Sequence, residues 1–153
     1  MSAILQRLGE MGLELPPRRS VGRYVGAVRS GNLVFVSGAG PVAPDGMMTG
    51  KLGVDVDLAA GQQAAKLCAL GCLSALQEEL GDLDRVSRIV KLLGFVNSGA
   101  GFTQQPAVVD GASEFLISLF GDRGTHARSA VGVAELPFNI AVEVEMVVEV
   151  SGP

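Results

Sequence analysis

Near the C-terminus, Ile140, Val142, Val144, Met146, Val148 and Val150 alternate with Ala141, Glu143, Glu145, Val147 and Glu149. Eleven residues of period two describe a strand with one apolar face. The other face carries Glu143, Glu145 and Glu149. The stretch before it alternates too, with Val131 and Val133 on one face and His126 and Arg128 on the other. Leu136-Pro137-Phe138-Asn139 separates the two stretches and contains turn formers. The pattern predicts an antiparallel pair. Arg128 would then lie beside Glu143 or Glu145, on the face away from the core.

A chain of 153 residues is long enough for a sizeable core, and residues 1–153 read as one domain with an N-terminal helical extension over 1–15. Only 18% of the residues are charged while 48% are hydrophobic, which predicts that part of the surface is buried in an oligomer. The net charge is −4 and there is no Lys/Arg run, so no nucleic-acid footprint is expected. The first residues form no apolar signal-peptide core, and no apolar run approaches a membrane span. Cys68 and Cys72 stand four apart in a helical pattern and read as core residues. A metal site would need further ligands, and the single histidine, His126, is distant in sequence. A reducing cytoplasm is the expected compartment.

In order, Ile4, Leu5, Leu8 and Met11 have helical spacing, closed by Gly12. Arg23–Arg29 and Leu33–Val36 read as strands joined through Ser30-Gly31-Asn32. Ser37-Gly38-Ala39-Gly40-Pro41 is a bend: either a plain turn, or backbone N–H groups aimed at a ligand. Lys51–Val56 reads as a short strand or edge segment. Leu58–Leu80 reads as a long helix closed by Gly81. Val86–Val96 is a strand apolar on both faces apart from Lys91, so something must cover each face. After the Asn97–Gln105 loop, Pro106 suits the first turn of a helix that ends before Gly121. The expectation is an α+β fold: a mixed six-stranded sheet with two main helices on one face and a short N-terminal helix.

No P-loop, GxGxxG after a strand, or HExxH is present. Ser20, Ser37 and Ser129 have no readable His-and-acid partners. The remaining chemistry is Arg128, able to grip a carboxylate with two parallel hydrogen bonds, and Glu143, able to hold or activate water. The same two residues also fit a plain surface ion pair, worth about 0–1 kcal/mol.

The run Ala127-Arg128-Ser129-Ala130-Val131-Gly132-Val133-Ala134-Glu135-Leu136-Pro137, followed by Val142-Glu143-Val144-Glu145, resembles the C-terminal signature of the Rid/YjgF family, the reactive-intermediate deaminases also labelled L-PSP endoribonucleases. Gly22-Arg23-Tyr24-Val25, and Val36-Ser37-Gly38 with Pro41, resemble two earlier family motifs in the right order. The N-terminal helix and the Asn97–Gln105 loop resemble the longer branch of the family. The resemblance implies a chorismate-mutase-like fold, a homotrimer with clefts between subunits, and hydrolysis of 2-imino or 2-enamino acids to 2-keto acids and ammonia without a cofactor or metal. It implies that Arg128 binds the substrate carboxylate and Glu143 positions the attacking water. Tyr24, Ser37 and Gly38 would line the cleft. Ala130 stands where many deaminases have Cys, Gly132 replaces a commonly acidic residue, and Asp110 stands where Asn is usual. The resemblance therefore also admits a non-catalytic trimer that binds a small carboxylate metabolite, and more distantly a ribonuclease.

Overall fold

The computed structural model describes residues 2–18 and 22–153. Met1, the first residue of the expected extension, and Ser20 lie outside them. Helix α1 spans Ala3–Glu10, α2 Leu58–Leu80 and α3 Gln105–Phe120. The strands are β1 Ala27–Ser30, β2 Leu33–Ala39, β3 Val42–Ala43, β4 Gly46–Met47, β5 Val86–Asn97, β6 Ala127–Val133 and β7 Val142–Val150. The main sheet has five strands in the order β1-β2-β7-β5-β6, and β3-β4 form a separate two-stranded ribbon. The expected architecture, mixed sheet and helical layer, is therefore present with one strand fewer in the sheet. Lys51–Val56 forms no strand and contributes only isolated bridges through Leu52. The first strand starts at Ala27 rather than Arg23, and residues 22–26 are bends and coil.

The pairing of the last two strands differs from expectation. β6 and β7 are not neighbours, because β5 lies between them. β5 pairs antiparallel with β7 and parallel with β6. The reason is the strand that is apolar on both faces. Placed in the interior of the sheet, β5 has both backbone edges hydrogen-bonded and its inner face covered. Parallel pairing needs a long crossover, and α3 supplies it between β5 and β6. The connection from β6 to β7 is thus not a hairpin turn. It crosses over the end of β5, with Phe138 and Asn139 both in left-handed backbone conformations.

Asp57 caps α2, its side chain accepting from Ala60 N at 2.8 Å, and Gly81 ends it in the left-handed region. The helix contains no β-branched residue, and its small residues Ala64, Ala65, Cys68, Ala69 and Cys72 are all buried. It is therefore wedged against both the sheet and α3. The thiols of Cys68 and Cys72 donate to the carbonyls of Val142 (3.3 Å) and Val144 (3.2 Å) on β7. Burial, then the nearby Glu145, pushes the Cys72 thiol up to about 12. Burial and the neighbouring Cys72 raise Cys68 as well. The reactive thiolate is accordingly suppressed. Both thiols are expected to resist a disulfide reagent at pH 8 in the folded protein and to react at once in guanidinium. Rapid labelling of the native protein would contradict this packing.

α1 buries Ile4 and Leu8 and lies against α3. Its N-terminus is held by Asp84, whose carboxylate accepts from Ser2 Oγ (2.7 Å), Ala3 N (2.8 Å) and Ile4 N (2.9 Å). Those hydrogen bonds, led by that from Ile4, hold the Asp84 carboxyl below its ordinary range.

Candidate active site

The side chains expected to carry chemistry fall into two groups on opposite faces of the sheet. Arg128 pairs in register with Leu92, which is fully buried beneath the helices, while Glu143 pairs with Phe95. Positions 92 and 95 of an extended strand point to opposite faces. Within one chain Arg128 therefore does not meet Glu143 or Glu145, contrary to the hairpin expectation. Ala130 pairs with Gly94 and packs toward the core beside Arg128.

The first group lies on β6 and α3. Arg128 Nη1 donates to Asp110 Oδ1 at 2.7 Å and to Ser113 Oγ at 3.1 Å, and Nη2 donates to the Pro106 carbonyl at 3.3 Å. Asp110 and Ser113 are three apart on α3 and so share a face. His126 Nδ1 lies 2.6 Å from the Gly124 carbonyl and its Nε2 lies 2.9 Å from Ser113 Oγ. A carbonyl only accepts, so Nδ1 carries the proton and Nε2 of the neutral ring accepts from Ser113. The result is a continuous chain: Gly124, His126, Ser113, Arg128, Asp110. Ser113 was not singled out from the sequence. Its signal was the i, i+3 spacing from Asp110, readable only once Asp110 had a partner. His126 was placed on the same strand face as Arg128, and there it is found.

The second group lies at the other side of the sheet. Between Val36 and Ala39, β2 advances three residues while β7 advances two, from Met146 to Val144. The extra residue makes a bulge at Ser37-Gly38, the kind of irregularity that re-aims side chains. Ser37 N donates to the Gly26 carbonyl at 2.8 Å and its Oγ to the Val25 carbonyl at 2.7 Å, which ties the segment carrying Tyr24 to the bulge. A Cβ at Gly38 would lie 2.8 Å from Glu143 Oε2 and 2.9 Å from its Cδ. Glycine there leaves the Glu143 carboxyl its place. Burial first, then the like charge of Glu145, raises the Glu143 carboxyl above its ordinary range. Tyr24, Ser37 and Gly38 line one cavity of about 510 Å³, together with Arg18, Met47 and Ala75. Glu143, Arg128, Asp110 and Ala130 do not line it. The expected bend at residues 37–41 thus begins as the bulged end of β2, where the strand continues to Ala39, and forms part of a cavity wall.

Among the described residues, no group of three or more His, Cys, Asp or Glu side chains lies together as a metal site requires. No helix among them is long and apolar enough to cross a membrane.

The sequence profile of the family described as Endoribonuclease L-PSP matches residues 16–150. The chain belongs to that family, the Rid/YjgF family. Its mixed sheet with a helical layer is the chorismate-mutase-like fold of these proteins. Protein TCP17 of Trypanosoma cruzi is 49% identical over 154 residues, spanning 99% of this chain and 94% of that protein. The 2-iminobutanoate/2-iminopropanoate deaminase of Dermatophagoides farinae is 34% identical over 84% of this chain and 86% of its own length. The crystal structure of an Agrobacterium tumefaciens protein of unknown function superposes with a TM-score of 0.90 at 43% identity, over 97% of this chain and 94% of that one. The matched profile begins after α1, whereas the Trypanosoma and Agrobacterium relatives extend over nearly the whole chain. In this Rid/YjgF protein the helical extension thus goes with particular relatives rather than with the family profile.

Proposed function

We propose that this protein is a homotrimeric hydrolase of reactive 2-imino and 2-enamino acids, with each site built from two subunits. One subunit supplies Arg128, Asp110 and Ala130. The next supplies Tyr24, Ser37, Gly38 and Glu143. The observation that carries this reading is the separation of the guanidinium and the half-buried carboxyl onto opposite faces of one sheet. A small substrate can touch both only if a second copy brings its own β2–β7 bulge to the β6 edge of the first. Apolar side chains on the uncovered sheet face favour such packing: Val28 is 54% exposed, Phe35 50% and Val131 43%. The similarity to the Dermatophagoides deaminase supports the reaction class. Two reduced thiols suit a cytoplasmic location.

The chemistry needs no activation of the carbon, because an imine carbon is already electrophilic. Arg128 holds the substrate carboxylate and fixes the carbon's position. Glu143 takes a proton from water as the water oxygen bonds to that carbon. That proton passes to the substrate nitrogen and gives a carbinolamine. The carboxylate then takes the hydroxyl proton and delivers it to the amino group as the C=O bond forms and the C–N bond breaks, so the products are ammonia and a 2-keto acid. A carboxyl with a raised proton affinity suits both halves of this exchange.

The test is release of 2-keto acid from 2-iminopropanoate generated in situ. The rate is expected to fall as pH drops through a limb set by Glu143, lying above the ordinary carboxyl range. Glu145→Gln removes the like charge and is expected to move that limb to lower pH. A limb unmoved by Glu145→Gln but abolished in Glu143→Gln would reject the electrostatic coupling; no acceleration by the wild type would reject the deaminase. The raised carboxyl also has a stability sign: its contribution is present below the unfolded value and lost as pH rises through the folded one.

A second reading, a trimer that binds a small carboxylate without turnover, is favoured by one observation: Arg128 is already paired with Asp110 at 2.7 Å. Saturable binding with no keto-acid release would select it.

A further inference from the structure

The Arg128–Asp110 pair bears on what the site accepts. Two features distinguish it from a loose surface ion pair. Its guanidinium is held at Nη1 by both Asp110 and Ser113, and Ser113 is held in turn by His126. Its carboxylate sits on α3 beside Gly111, where the helix backbone meets the Gln62 carbonyl of α2 too closely to shift freely. The guanidinium is thus anchored by two groups, and the backbone that carries Asp110 is fixed against α2.

The exposed parts of the pair are complementary. Nη1 is fully engaged, and Nη2 has only the 3.3 Å contact to Pro106 O. Nε has no partner among the described residues. The Nε–Nη2 edge is thus open for two parallel hydrogen bonds to an anion. On the carboxylate, Oδ1 accepts from Arg128, while Oδ2 has no partner among the described residues. The Asp110 side chain is 47% exposed, against 21% for Arg128. A ligand that offers only a carboxylate meets a pair with no net charge and a fixed anion on the far side of the guanidinium. A ligand long enough to carry a basic nitrogen round to Oδ2 adds a second charge-assisted hydrogen bond there.

We propose that Asp110 is a specificity-determining residue that selects small carboxylates bearing a second, basic nitrogen, with the carboxylate on Arg128 and the cationic N–H group on Asp110. This rests on the deaminase reading for the identity of the site, and it then names the substrates: imino acids derived from basic amino acids. His126 and Ser113 are positioning residues for Arg128.

Binding to the full-length protein tests the assignment without requiring turnover. Calorimetry would compare hexanoate, 6-aminohexanoate and heptanedioate, which match the span from the Nε–Nη2 edge to Asp110. The ammonium-bearing probe is expected to bind about tenfold more tightly than hexanoate, the ratio that one charge-assisted hydrogen bond sustains, and heptanedioate most weakly. Asp110→Asn keeps an oxygen for Arg128 and removes the charge, so it is expected to erase this order. Equal binding of the three probes, no binding of the ammonium probe, or the same order in Asp110→Asn overturns the assignment. Imines made from alanine, arginine and glutamate with an amino-acid oxidase then separate the two readings. Turnover of none of them, with the ammonium preference intact, overturns the deaminase and leaves the specificity. Turnover of all at similar rates does the reverse.

Discussion

Arg128→Ala is expected to lower kcat/KM for 2-iminopropanoate hydrolysis by roughly 10²–10³, the range that loss of an orienting, charge-bearing contact produces. Two effects combine. The substrate carboxylate loses its partner. Asp110, whose Oδ1 now accepts from Arg128 at 2.7 Å, becomes an uncompensated anion at the same spot. Arg128→Lys should restore little, because an ammonium cannot present the planar two-donor edge. Adding Asp110→Asn to Arg128→Ala should recover part of the loss, so the two changes should combine non-additively. The fold should persist, because a partly exposed ion pair is worth only about 0.2–1 kcal/mol. Keto-acid release and a thermal melt on the same preparations check both halves. An Arg128→Ala protein with wild-type kcat/KM removes Arg128 from the site.

Gly111→Ala should be the most damaging single-methyl change in the helical layer. A Cβ at Gly111 would lie 2.0 Å from the Gln62 carbonyl oxygen and 2.7 Å from its carbon. Those are backbone atoms within α2, so no rotamer relieves the clash and the helices must part. Overpacking of this kind costs about 3 kcal/mol. For a chain of this length that lowers Tm by roughly 6–12 °C. The movement would carry Asp110, the adjacent residue, away from Arg128, so activity or ligand preference should change with stability. Gly9→Ala is the control. It sits inside α1 with nothing within 4 Å of its would-be Cβ, and alanine there should stabilise by about 0.5–1 kcal/mol. If Gly111→Ala melts with the wild type, the close contact between α2 and α3 is not as described.

The periodicities of the chain determined its elements. Leu58–Leu80 is helical between an aspartate cap and Gly81 because no β-branched residue interrupts it and small side chains line it. The alternation from Val142 to Val150 made β7 legible with its buried face, since side-chain direction in a strand is local geometry. The doubly apolar β5 marked a strand whose two faces both need cover, for the same reason. Pairing is not local. Whether β6 lies against β7 or β5 depended on how β5 satisfies both backbone edges, and a turn-forming stretch such as Leu136–Asn139 is compatible with either. That choice put Arg128 on the helix face with Asp110, Ser113 and His126 and left Glu143 on the other face beside Gly38. The sequence by itself thus determined the fold class, because element order and periodicity are written in residue type and spacing, and it offered Arg128 and Glu143 as candidates. Only the tertiary structure decided their partners, because strand order and helix docking bring together residues whose separation along the chain carries no sign of it.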